Sequence, residues 1–163
     1  MPEASDKIKE LEKNLQKLQK EGDNGIQTIR ALNDLSYALT GIDPVKAFDY
    51  AMQALELSRR IDHKEGQAGS FINMGISHFI RGNFDQAMDL YIESLKINEE
   101  IGSKVGMGNS NNNIGLVYLH TGEYEKALEY LYKSLEYYKE GSEKYKIAIT
   151  YNNLGVTLKN LER

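Results

Sequence analysis

The sequence predicts an all-α fold, a solenoid of antiparallel helix pairs, and three observations carry this prediction. A tripeptide that begins with Asn and ends with Gly recurs at a spacing of 40 residues, at 73–75, 113–115 and 153–155. Apolar residues around each tripeptide follow helical spacing, and a glycine-containing turn divides each unit into two helices. Periods of this length are typical of arrays in which every unit stacks on the next.

Each predicted unit consists of a helix, a short turn and a second helix. In the unit that contains Phe71, Met74 and His78, these side chains share one helical face, and Gly82 ends the helix. Small residues at Gly75 and Ala87 predict a close approach of the two helix axes, near the short end of the usual ~8–10 Å. The predicted units are 26–66, 67–106, 107–146 and a half unit 147–163.

The first unit differs from the others. Leu35 stands where the later units carry glycine, and the turn is longer, with Gly41 and Pro44. Asn33, Ala47 and Ala54 nevertheless keep the 40-residue frame. Terminal repeats are often atypical, so the frame predicts a divergent first unit.

An additional helix is predicted for residues 1–24. Ile8, Leu11, Leu15 and Leu18 are spaced as on one helical face, and the run from Gly22 to Gly25 ends the helix. Two heptads are too few for a firm prediction of a coiled coil. We therefore favour a helix that caps the first repeat over a short coiled coil.

The repeated residues resemble the tetratricopeptide repeat family, whose pattern has an aromatic residue, Leu-Gly, Tyr, and later Ala. The matching positions are Phe71, Met74, Gly75, Ala87 and Tyr91 in one unit, Ile114, Gly115, Tyr118 and Ala127 in the next, and Tyr151, Leu154 and Gly155 in the last. The resemblance covers residues 26–163. The sequence departs from the family in its Ser94 and Ser134, which replace a late Ala, in the missing terminal Pro, and in a period of 40 rather than 34.

The resemblance implies a right-handed superhelix of helix pairs with a concave groove lined by the first helix of each pair. The longer period is similar to an extended variant found in bacterial regulators and in adaptors like kinesin light chain. The family resemblance also implies that asparagines on the first helices contact a bound peptide.

A helical wheel at 100° per residue places one row of residues away from the core of each pair. These residues are expected to line the groove and are Asn33, Asn73, Asn112, Asn113, Asn152, Asn153, Ile76, Ile80, Leu116, His120 and Val156. Asparagine disfavours helix by roughly half a kcal/mol relative to alanine, so an asparagine-rich helix suggests a compensating role. A carboxamide both donates and accepts, and can pair with an extended peptide backbone.

Two interpretations of the asparagine row remain open. In the first, adjacent first helices present asparagines about 10 Å apart, which matches roughly three extended residues at ~3.3 Å each. In the second, Asn33, Asn73, Asn113 and Asn153 bridge neighbouring helices and contact no ligand. Family members that bind a C-terminal carboxylate carry Lys or Arg beside these asparagines, whereas this sequence has Gly69, Asn109 and Ile149, or Ile72, Asn112 and Asn152. A carboxylate clamp is therefore not expected.

Composition excludes several classes of partner and site. The net charge is −4 with acids and bases interspersed, so no basic surface for nucleic acid or anionic lipid is expected. No apolar run is long enough to span a membrane. The chain has no cysteine, which fits a reducing compartment, and we expect a cytoplasmic location.

No enzymatic chemistry, cofactor or metal is predicted. His63, His78 and His120 are far apart in the frame and lack the spacing of a metal site, and His78 is expected at or near the core. The glycine-rich stretch 102–108 follows no strand and is predicted to be a linker between helices.

The predicted function is a scaffold that binds a protein or an extended peptide in its groove. The alternative is a regulatory or self-association module of a larger bacterial signalling protein, a kinase or cyclase, of which this chain is a fragment. The fragment hypothesis rests on apolar residues on more than one side of the helix after Ile149. A homodimer through the terminal helices belongs to this alternative.

Overall fold

The computed structural model describes residues 2–23 and 25–162, and the predicted boundary at residue 24 lies outside them. Eight α-helices and no strands occur in this part of the chain. They are α1 (Pro2–Lys20), α2 (Ile26–Leu39), α3 (Pro44–Arg60), α4 (Lys64–Ile80), α5 (Phe84–Glu100), α6 (Lys104–Thr121), α7 (Tyr124–Glu140) and α8 (Lys144–Leu161). The all-α prediction is confirmed.

The helices form a right-handed solenoid with two layers. Helices α2/α3, α4/α5 and α6/α7 are antiparallel pairs, and α8 packs on α7. The first helices α2, α4, α6 and α8 contact one another in order and form the inner layer, while α3, α5 and α7 form the outer layer. Among the described helices, none is both long and apolar enough to cross a membrane.

Helix α1 packs on α2 at one end of the solenoid. Leu15 and Leu18 are buried in a cluster with Leu32 and Leu35, as expected of a capping helix. Lys46 at the start of α3 donates to Glu12 of α1 at 2.9 Å, which raises the pKa of Lys46. The outward surface of α1 is polar, which suits the end of a solenoid.

The turns between pairs share one backbone feature. Residues 22, 62, 102 and 142 stand 40 apart and all have a positive φ, of 72°, 53°, 68° and 56°. The following amide closes each turn by donating to a carbonyl five residues earlier, as His63 does to Ser58 at 2.8 Å. The helices α4, α6 and α8 therefore begin near residues 64, 104 and 144, a few residues before the predicted unit boundaries.

The prediction that residues 102–108 form a linker is wrong. Helix α6 begins at Lys104, so Gly106 and Gly108 are helical. A Cβ atom at Gly108 would lie 2.6 Å from Cε1 of the Tyr138 ring, and one at Gly106 would overlap the side chain of Asn98. These glycines permit close packing of α6 against the neighbouring helices, and the glycine-rich composition does not reflect a flexible segment.

Ser142 occupies a left-handed position that glycine adopts without strain. Its φ is 56°, its side chain is exposed, and the equivalent residues Gly22 and Gly102 are glycines. We expect Ser142→Gly to raise the free energy of unfolding by about 0.5–1 kcal/mol, measured by chemical denaturation. Ser142→Ala keeps the Cβ atom and should give no gain. Equal stabilisation by both substitutions would contradict this explanation.

The core of each pair combines one small and one large residue at the closest approach. A Cβ atom at Gly75 would lie 2.7 Å from Cδ1 of Tyr91, and one at Gly115 would lie 2.9 Å from Cγ of Leu131. Ala87 is fully buried. The predicted close approach at Gly75 and Ala87 is confirmed.

The first pair reverses this arrangement. Leu35 replaces the glycine of the later pairs, and Ala51 occupies the position of Tyr91 and Leu131. Both residues have no exposed surface. In the first pair the large residue is therefore on the first helix and the small one on the second, and together they fill the space between the two helices.

Candidate functional site: the concave groove

The inner layer and α1 enclose a groove with a volume of about 790 Å³. We call this surface the concave groove. Its wall is formed by Lys7, Leu11, Asn33, Asp34, Tyr37, Ala38, Gly69, Ile72, Asn73, Ile76, Asn109, Asn112, Asn113, Tyr138, Tyr145, Lys146, Ile149 and Thr150. The wall combines aliphatic and aromatic side chains with a few amides, a composition typical of ligand-binding clefts.

Part of the predicted groove lies in this wall. Asn33, Asn73, Asn112, Asn113 and Ile76 line it, as the helical wheel predicts. The other predicted residues lie outside the wall and are Asn152, Asn153, Leu116, Val156, Ile80 and His120. A helical wheel predicts the direction in which a side chain leaves the helix axis. It does not predict which turns of the helix border the groove.

Each residue outside the wall lies nearer the carboxyl end of its helix than the wall residues of the same helix do. The His120 ring packs edge-on against Phe79, with ring centroids 4.8 Å apart, and it also lies 5.9 Å from Phe84. Ile80 and Val156 are exposed, with 47% and 45% of their surface accessible. The groove wall therefore ends before the last turn of α4, α6 and α8.

The sequence pattern does not predict several residues of the groove wall. Lys7 and Leu11 come from α1, and Tyr138 comes from the outer layer. Gly69 and Ile149 occupy the positions where a carboxylate clamp would carry Lys or Arg, and they share one phase of the 40-residue frame. This shared phase could have predicted that both residues line the groove. No periodicity in the sequence predicts that Lys7 and Leu11 of α1 also line it.

Four of the asparagines bridge neighbouring first helices. Asn73 Nδ2 donates to the Asn33 carbonyl oxygen at 2.9 Å and to Asn33 Oδ1 at 3.2 Å. Asn153 Nδ2 donates to Asn112 Oδ1 at 3.1 Å. These bonds link α2 to α4 and α6 to α8. They agree with the bridging interpretation for Asn33, Asn73 and Asn153, but Asn112 takes the place that this interpretation gave to Asn113.

Asn113 differs from the other asparagines of the row. Within the described residues, its side chain makes no hydrogen bond to the protein, although it is half-buried in the groove wall. The bridge expected between Asn73 and Asn113 is absent from this part of the chain. The Asn113 carboxamide therefore presents a free donor and a free acceptor to the groove.

Tyr138 fixes the neighbouring amide. Its hydroxyl donates to Asn109 Oδ1 at 2.8 Å, and burial raises the pKa of Tyr138, which keeps the hydroxyl protonated. Lys146 lies over the same ring, with Nζ 5.5 Å from the centroid. A hydrogen bond thus orients the Asn109 side chain, whereas none among the described residues orients that of Asn113.

Among the residues that the structure describes, the titratable side chains do not converge on one site. The His78 ring packs edge-on against Phe48 with centroids 5.2 Å apart, close to the core as predicted. Burial, and to a lesser extent the Arg81 charge, lowers the pKa of His78. No group of three His, Asp or Glu side chains suited to a metal ion occurs among the described residues.

Sequence models of known families match two segments of the chain. Two models, both described as tetratricopeptide repeat, cover residues 67–101 and 106–163. With the fold above, these matches define a helical-repeat protein-interaction module. The chain belongs to the tetratricopeptide repeat family. A comparison with curated proteins gave no match.

Solved structures of low sequence identity share the fold. BtubC (BKLC) from P. vanneervenii has 20% identity, a TM-score of 0.77 and alignment over 94% of this chain. A Rap protein complexed with competence and sporulation factor has 17% identity, a TM-score of 0.79 and alignment over 95%. A STAND protein with a tetratricopeptide repeat sensor, from Pyrococcus horikoshii, has 22% identity, a TM-score of 0.70 and alignment over 90%. This chain spans only 65%, 46% and 23% of these three proteins.

Proposed function

We propose that the concave groove binds an extended peptide segment of a protein partner, and that Asn113 clamps the peptide main chain. The observation that carries this proposal is the free Asn113 carboxamide in the groove wall, beside asparagines that are paired with one another. A backbone amide group offers one donor and one acceptor, which one carboxamide can satisfy.

The cost of the asparagines in α6 supports a role for Asn113. Asn111 donates to the Met107 carbonyl at 2.8 Å, and Asn112 accepts from Asn153, so both have structural partners. Asn113 has none among the described residues, yet it retains the lower helix propensity of asparagine. Hydrogen bonds to a bound ligand would compensate for this loss of helix propensity. No hydrogen bond to the described residues does so.

The side chains around Asn113 favour a peptide with apolar residues. Ile72, Ile76 and Ile149 line the wall with Tyr37, and an extended peptide turns alternate side chains to the same side. The charges in the wall are mixed, with Lys7 and Lys146 opposed by Asp34. We therefore propose a peptide whose alternate apolar side chains enter the groove and whose net charge is small.

The test begins with peptides selected from a random library against the immobilised chain. Asn113→Ala should weaken binding of a selected peptide about tenfold, because two hydrogen bonds of about 0.5–1.5 kcal/mol each are lost. The melting temperature should stay unchanged or rise slightly, since alanine favours helix.

Asn152→Ala is the matched control for this test. Asn152 is the equivalent of Asn112 on α8, is exposed, and lies outside the groove wall. Its substitution should leave affinity within about twofold of the original chain. Equal affinity of the Asn113→Ala variant and the original chain would contradict the clamp, as would a large fall in melting temperature.

We propose as the second candidate a regulatory module of a larger signalling protein, with no catalytic role of its own and a cytoplasmic location. The observation that favours it is the likeness to a Rap protein and to a STAND protein with a tetratricopeptide repeat sensor, which are much longer than this chain. Under this candidate the groove ligand controls another domain. A peptide that binds the groove but leaves the activity of an attached output domain unchanged would argue against it.

A further inference from the structure

One face of α8 has the pattern of a packed helix face, but no helix of the described residues packs on it. We call it the α8 face, and its residues are Lys144, Ala148, Tyr151, Gly155, Leu158 and Glu162, all exposed or at the helix end. The equivalents of Tyr151 are Phe71 in α4 and Asn111 in α6, which are 9% and 3% exposed, whereas Tyr151 is 52% exposed. A Cβ atom at Gly155 would meet nothing within 4 Å.

The covered pairs show what a covering helix supplies. In α4/α5 the ring of Tyr91 packs on Gly75, so a large residue fills the space left by the glycine. An ion pair joins the start of the first helix to the end of the second, Lys64 to Glu100 at 3.3 Å. The pair of Lys104 and Glu140 repeats this contact at 3.1 Å in α6/α7.

The α8 face is complementary to itself in side-chain size and in charge. Tyr151 is a large residue one turn before Gly155, and Glu162 is a carboxylate at the opposite end from Lys144. In an antiparallel pair of α8 helices centred on residue 153, Tyr151 meets Gly155 of the second copy, and Lys144 meets Glu162. The same register brings Ala148 opposite Leu158. All three contacts occur twice, as the two-fold symmetry of a homodimer requires.

We infer that two copies of this chain associate through their α8 faces as an antiparallel, two-fold symmetric dimer. In this dimer the partner α8 takes the place that α5 and α7 hold against α4 and α6. The contacts have the chemistry of the intramolecular pairs, a large residue on a glycine and a lysine with a glutamate. The inference is independent of the peptide groove, because the α8 face and the groove wall share no residue.

Helix α1 of a second copy is a poorer occupant. In the 40-residue frame, Lys7 stands at the position of Ala87 and Ala127, which are fully buried at the closest approach. Lys20 stands at the position of Glu100 and would face Lys144. A head-to-tail contact would therefore bury one lysine and place two like charges together, both of which are unfavourable.

The dimer is tested by sedimentation equilibrium of the 163-residue chain from about 1 µM to about 1 mM. We expect the mass to rise from 18.5 kDa towards twice that value. Tyr151→Glu should raise the dissociation constant at least about a hundredfold, because a central aromatic residue is replaced by a charge on both copies. Tyr151 is exposed in the single chain, so circular dichroism should show an unchanged fold.

Charge exchange tests the antiparallel register. Lys144→Glu and Glu162→Lys should each raise the dissociation constant about tenfold, since each removes two ion pairs per dimer. The double variant should restore the original dissociation constant to within about threefold. Lys13→Glu, on the outward surface of α1, is the control and should have no effect.

Three results would overturn the inference. A constant mass of 18.5 kDa up to about 1 mM would exclude the dimer. A dimer that persists in Tyr151→Glu, or that weakens in Lys13→Glu, would place the interface elsewhere. A double charge exchange that fails to restore association would exclude the antiparallel register.

Discussion

Gly75→Leu is expected to lower the free energy of unfolding by about 4 kcal/mol. A Cβ atom alone would already overlap the Tyr91 ring, and Tyr91 is only 1% exposed. The ring cannot move aside without displacing α5 from α4, because Ile114 and Val117 of α6 are buried in the same cluster on its other side. The gain in helix propensity from glycine to leucine, somewhat under 1 kcal/mol, is too small to offset this overlap.

Gly155→Leu provides the matched control at the same position of the repeat. No atom would lie within 4 Å of its Cβ, so only the gain in helix propensity remains. At micromolar concentration we expect a gain of about 0.5–1 kcal/mol. Urea unfolding followed by circular dichroism measures both variants. A similar loss of stability in the two would show that helix propensity or surface effects, rather than the contact with Tyr91, determine the outcome.

Leu35→Gly is expected to lower the free energy of unfolding by about 5 kcal/mol. Leu35 has no exposed surface and packs in one cluster with Leu15, Leu32 and Leu39. Its removal leaves a cavity at a cost of about 2–5 kcal/mol, and glycine in a helix costs about 1 kcal/mol more. Unlike Gly75 and Gly115, a glycine here would face an alanine, Ala51, rather than a tyrosine or a leucine.

The reversed arrangement of the first pair predicts a rescue. The double variant Leu35→Gly/Ala51→Leu reproduces the combination of Gly115 with Leu131 and should recover about 2–3 kcal/mol. Ala51→Leu alone should destabilise by overpacking, because Ala51 has no exposed surface. A double variant no more stable than Leu35→Gly would show that the two positions are not coupled.

The sequence could predict the solenoid because its packing rule is local and periodic. Gly75 and Ala87 are close together in the sequence, and the same requirement returns every 40 residues, so a single chain displays it several times. The apolar spacing of Leu15 and Leu18 likewise predicted a helix that packs on the first repeat.

The groove could be predicted only in part, because its shape depends on the stacking of helices. The helical phase predicts that Asn113 and Ile76 face the groove. The depth of the groove depends on how the first helices and α1 converge. That convergence excludes His120 and brings in Lys7. The prediction of a linker at residues 102–108 is wrong for a related reason. Glycine-rich composition does not distinguish a flexible linker from a helix in close contact with another, such as Gly108 with Tyr138.

Peptide binding in the concave groove is tested most directly by a ¹⁵N NMR titration of the chain with a library-selected peptide. Binding should shift the side-chain amide resonances of Asn113, together with the backbone amides of Ile72 and Ile149. The side-chain amides of Asn73 should move less, since their donor already bonds to Asn33. Shifts confined to the outer helices α3, α5 and α7, with the Asn113 side chain unaffected, would contradict a groove that binds peptide.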